Sequence, residues 1–114
     1  MVAEKESYHL KVVLQLKWKQ GNEYEAKVSV TTTDTCYHAG QLKIGLPPGT
    51  AGVPEIEYLT FDFTHDKGKA CGEIVQTVEK TIVVLHSSAK PKVTAFAVVN
   101  DLVAGSDTKD FPRR

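Results

Sequence analysis

Four side chains that can bind a metal or exchange electrons stand in two close pairs, Cys36 and His38 in DTCYHAGQ, and His65 and Cys71 in THDKGKACG. Thiolate and imidazole are the ligands zinc prefers, so Cys36, His38, His65 and Cys71 make a possible tetrahedral set. Their spacings, C-x-H and H-x5-C, differ from the tight C-x2-C pairs of structural zinc sites. A second chemistry is a disulfide between Cys36 and Cys71, the chain's two cysteines. Closing a loop of that length is worth about 3 to 4 kcal/mol in the chain-entropy model. A third reading leaves two unlinked thiols, buried as small hydrophobes. A disulfide implies a secreted or periplasmic protein and free thiols a cytoplasmic one.

Catalytic constellations are weaker. FDFTHDKG gathers Asp62, His65 and Asp66 near one turn, and a histidine beside a carboxylate can act as a general base. Turns of small β proteins collect such residues for solubility alone. None of the serines sits in a G-x-S-x-G elbow, and there is no glycine-rich phosphate loop. We therefore expect no catalytic residue, no enzyme and no cofactor.

Binding surfaces are the remaining source of function. The stretch PPGTAGVP carries Pro47, Pro48, Gly49, Thr50, Val53 and Pro54, and its prolines would limit the entropy lost on docking a ligand. It could equally be a rigid crossover between sheets. His9, Lys11, Lys17 and Lys19 form a basic row on one face of the first predicted strand. Nucleic-acid grooves add exposed aromatics for base stacking, whereas Tyr8 and Trp18 fall on the opposite, inward parity. The lysines read better as a guard on a sheet edge. Lysine plus arginine (14) balances aspartate plus glutamate (14), which excludes bulk attraction to polyanions, and no apolar run reaches the length of a membrane helix. Neither nucleic acid nor membrane is an expected partner; a protein or carbohydrate ligand, or a second copy of the chain, is.

The elements that must position these residues are strands. YHLKVVLQLKWK alternates with Tyr8, Leu10, Val12, Leu14, Leu16 and Trp18 on one parity, and YEAKVSVT repeats the alternation after the turn Gln20-Gly21-Asn22. QLKIGL precedes the proline-rich loop. In EIEYLTFDFT the apolar parity changes between Tyr58 and Leu59, which means a bulge near Tyr58 or a strand that changes sheets, and the bulge is the expectation. EIVQTVEKTIVVLH reads as one long strand or two short ones broken near Glu79 and Lys80. VTAFAVV is apolar almost throughout, the pattern of a strand covered on both faces or of a central one, and Asn100-Asp101 then makes a tight hairpin turn.

Seven or so strands in 114 residues predict one all-β domain over 1–114, an antiparallel two-sheet sandwich of immunoglobulin-like type, with a small closed barrel as the alternative. Trp18 precedes both cysteines, unlike the immunoglobulin landmark. The ends, near 1–7 and 107–114, are expected to fray. The function expected is a non-enzymatic binding or interaction module. Its alternative is a metal-binding or thiol-dependent protein centred on Cys36, His38 and Cys71.

Overall fold

Among the described residues, alternation of apolar and polar side chains becomes seven strands: β1 (Lys11–Gln20), β2 (Glu23–Thr32), β3 (Tyr37–Ile44), β4 (Ile56–His65), β5 (Gln76–Leu85), β6 (Lys92–Val99) and β7 (Leu102–Asp110). The structure, a computed structural model, describes residues 7–67 and 70–112. The strands form two sheets, of order β1-β2-β5 and β3-β4-β6-β7.

The period of two decides what each sheet buries. Val12, Leu14, Tyr24, Ala26, Val28, Val30 and Val84 face inward from the first sheet, and Leu59, Phe61, Phe63, Val93, Ala95, Ala97 and Val99 meet them from the second. Each large apolar side chain withdrawn from water contributes about 1.5 to 3 kcal/mol, enough to make this interface the main source of stability. β6 lies between β4 and β7 and is buried along nearly its whole length, as its unbroken apolar run requires. Asn100 and Asp101 take φ values of 48° and 67°, so the β6–β7 connection is the tight left-handed turn that their types predicted.

Four expectations need correction. The sandwich is not antiparallel throughout, because β4 and β6 pair in parallel. The chain leaves β4, crosses to the other sheet as β5, and returns, and two reversals restore its direction. The bulge predicted near Tyr58 is absent, since β4 pairs with β6 from Ile56 to Phe63 without a shift. The irregularity lies on the partner strand β3, between Ala39 and Leu42. Tyr58 breaks the apolar parity because it serves the outer face, stacking on Phe96 at 6.0 Å and accepting a hydrogen bond from Val53 N through its hydroxyl. Trp18 has the inward parity, opposite Tyr24, yet it is 44% exposed at the end of its strand, where its indole N–H donates to the Gly21 carbonyl. Nor does the chain fray from 107: β7 runs to Asp110, Phe111 packs against Tyr24, and the Tyr24 hydroxyl donates to the Pro112 carbonyl. The loose ends expected at 1–6 and 113–114 lie outside the described residues.

The ambiguous EIVQTVEKTIVVLH holds a single strand, Gln76–Leu85, paired with β2 without interruption at Glu79 and Lys80. Lys80 stands on its inward parity opposite Val28 and reaches across the gap between the sheets to the Gly40 carbonyl at 2.6 Å, its ammonium 5.9 Å from the Phe61 ring centre. On the opposite side β1 approaches β7: Leu10 N donates to the Ala104 carbonyl at 2.9 Å and Leu14 N to the Asp107 carboxylate at 2.8 Å. A Cβ on Gly105 would collide with the Leu10 carbonyl oxygen, so glycine is required for this approach. One seam is thus stitched in part, while the two sheets stay distinct.

Candidate functional site

One end of the sandwich gathers the residues with chemistry. The β2–β3 turn brings Asp34 and Cys36, β4 ends on His65, the segment after it brings Cys71, and the β6–β7 turn supplies Asn100. Cys36 and Cys71 sit at disulfide distance, S–S 1.94 Å and Cα–Cα 5.5 Å. Thr35 N donates to the Gly72 carbonyl, and Gly72 N donates back to the Thr35 hydroxyl. These bonds hold the two cysteine-bearing segments together beside the sulfurs.

Asp34 organises the cluster. Its Oδ1 accepts from Cys36 N at 2.8 Å, closing an Asx turn, and both its carboxylate oxygens lie 3.1 Å from His65 Nε2. A carboxylate accepts, so Nε2 carries the proton in this arrangement. His65 is oriented from three further directions. Its ring meets Tyr37 edge-on at 4.4 Å and Tyr8 at 5.5 Å, and its backbone N–H donates to Asn100 Oδ1. The Asn100 amide in turn donates to the His65 carbonyl and to the Tyr8 hydroxyl. Burial, and secondarily the nearby Asp34 carboxylate, raises the Tyr37 pKa above its ordinary 10.0.

The ligand atoms of Asp34, Cys36, His65 and Cys71 all lie within 4.8 Å of one another. His38, which the spacing grouped with Cys36, is not among them. Residues i and i+2 share a face only within a strand, and Cys36 belongs to the turn before β3. It is buried, whereas His38 is exposed and pairs with Asp66 at 2.8 Å. The trio Asp62, His65 and Asp66 is likewise dispersed, since Asp62 pairs with Lys43, His65 with Asp34 and Asp66 with His38. Asp34 is the residue that sequence reasoning passed over; its one readable signal is the aspartate two positions before Cys36, the spacing of an Asx turn. An open cleft of about 650 Å³ lined by Thr33, Asp34, Cys71, Glu73 and Val75 leads from solvent to this cluster.

The proline-rich loop is partly anchored. Pro47 is buried, Thr50 is half-buried, and Pro48, Gly49, Val53 and Pro54 are exposed. The Thr60 hydroxyl donates to the Gly45 carbonyl at its base, and Tyr58 holds it at Val53. His9, just before the first strand, and Lys11, Lys17 and Lys19 on it are exposed, and β1 is an edge strand as their pattern predicted. Comparison with protein-family models, with curated proteins and with solved structures gave no match.

Proposed function

We propose that the chain is a non-enzymatic interaction module that docks an extended polypeptide against the open edge of β5, a second copy of the chain being the partner its own sequence fits. The observation that carries this is the backbone parity of β5. His86 N donates to the Asn22 carbonyl, so even-numbered residues turn their peptide groups toward β2. The odd-numbered residues Thr77, Glu79, Thr81, Val83 and Leu85 therefore turn theirs to the side where the sheet ends. Val75, Val83 and Leu85 are exposed alongside that edge. Most edge strands carry charges or bulges that prevent such pairing. Here a two-fold pairing of Glu79 with Thr81 sets Thr77 against Val83 and Val75 against Leu85, with no like charges opposed on the outer face. Lys80, on the axis, is turned away toward Gly40. Strand addition of this kind draws affinity from backbone hydrogen bonds and specificity from alternate side chains.

In coarse architecture, two facing sheets of three and four strands suit an immunoglobulin-like module. The parallel β4–β6 pair departs from that antiparallel pattern, so the likeness supports a general binding role and no particular family.

Sedimentation across the micromolar range tests the proposal. The expected result is a mass rising to that of a dimer and held to the monomer by Thr81→Pro, which removes an edge donor without touching the β2–β5 ladder. A monomeric mass throughout, or a dimer unaffected by Thr81→Pro, overturns it.

A further inference from the structure

The geometry points to a redox-gated zinc site at the same end of the sandwich, formed by Cys36 Sγ, Cys71 Sγ, His65 Nε2 and the Asp34 carboxylate. Four ligand atoms mutually within 4.8 Å lie close to the spacing that one tetrahedral ion imposes, once the two sulfurs have parted from bonding distance, because zinc takes sulfur at ~2.3 Å and nitrogen or oxygen at ~2.0 to 2.2 Å. The donor set is two soft thiolates, an imidazole and a carboxylate, all of which zinc accepts. Outer contacts that orient such ligands are already present. Cys36 N holds Asp34 Oδ1, Tyr37 and Tyr8 flank the His65 ring, and Asn100 fixes the His65 backbone from both sides. The open cleft along Asp34 and Cys71 supplies an entry path.

The gate is the sulfur–sulfur bond. With Cys36 and Cys71 joined, only Asp34 and His65 remain as donors, and they satisfy each other. A phosphine delivers two electrons and leaves as its oxide, water supplying the oxide's oxygen and the two thiol protons; a dithiol instead supplies both electrons and both protons and leaves as its own disulfide. Zinc then displaces both thiol protons. His65 moves its proton from Nε2 to Nδ1, freeing Nε2 for the metal and releasing Asp34 to coordinate. Reoxidation by a disulfide oxidant withdraws the two electrons from the thiolates, re-forms the sulfur–sulfur bond and expels the ion. The site thus reports thiol redox state as bound or released zinc, and this does not depend on the β5 edge.

The test uses the full chain with Co²⁺ as the spectroscopic substitute for Zn²⁺, before and after treatment with a phosphine. The reduced chain is expected to take up a single equivalent with thiolate-to-cobalt charge transfer and the strong visible bands of a tetrahedral centre, and the oxidised chain none. His65→Ala and Asp34→Asn should each weaken uptake by at least about tenfold, the size of effect that even an outer partner of a metal ligand commands. The Asp34→Asn substitution preserves the Asx turn, so its loss reads as coordination and not as folding. His38→Ala should leave uptake unchanged. Far-UV circular dichroism follows the fold: if reduction unfolds the chain, a single equivalent of Zn²⁺ must refold it. No cobalt uptake by the reduced chain, equal uptake by the oxidised one, full affinity in His65→Ala, or a reduced, unfolded chain that zinc does not restore would each overturn the inference.

Discussion

Tyr37 makes the electrostatics of the cluster measurable. Its phenol is raised above 10.0 chiefly by burial and then by Asp34, which both disfavour the phenolate. The folded state therefore binds this proton more tightly than the unfolded state does. Stability on this account is intact below about pH 10 and falls as pH rises through the higher folded value. Melting temperatures from pH 9 upward should decline in the wild type and decline less in Tyr37→Phe. An identical decline in both proteins would remove Tyr37 from the explanation. At this scale the sequence was partly legible. The cysteine pair could be read, since two cysteines leave a single intrachain partner, but His38 could not be separated from His65. That choice turned on whether Cys36 belonged to a strand or to the turn before one, and adjacent spacing carries no information about a boundary of one residue.

Elements were the most legible level, because a half-buried strand writes its two faces into alternate residues. The β6–β7 hairpin is the clearest case, its turn readable from Asn100-Asp101 before any coordinates. What the turn also does was not readable: Asn100 bonds His65 on both sides and Tyr8 beyond. Asn100→Ala should lose these bonds and strain a left-handed residue, costing about 2 to 3 kcal/mol in urea unfolding. Asn100→Gly keeps the turn and loses only the amide, and should recover about 1 kcal/mol of that. Equal losses in the two variants would mean that backbone conformation contributes nothing. Tyr58 marks where element reading failed, since a loop folded onto the outer face gives an aromatic a second place to be buried, and alternation then imitates a bulge.

Across the whole molecule the two sheets are joined unequally at their margins. Leu10 and Leu14 bond β7 along one seam, and Lys80 spans the other. Gly105→Ala would drive a methyl group into the Leu10 carbonyl, and backbone cannot yield as a flexible side chain can. The expected loss is about 2 kcal/mol or more, within the range for overpacking a closed site, together with faster exchange of the Leu10 and Leu14 amides. A Gly105→Ala variant as stable as wild type, with those amides still protected, would show that the seam adjusts freely. Residue order alone indicated seven or so strands, most of their inward faces, the apolar run of β6, the turn at Asn100 and a cysteine pair able to meet, because each is recorded in neighbouring residues. It took the folded arrangement to establish that β4 and β6 run parallel, that β5 presents an unpaired edge, and that Asp34 rather than His38 faces the sulfurs and His65. Those outcomes depend on which segments distant in the chain come to lie side by side, and that is set by packing two sheets around one shared core.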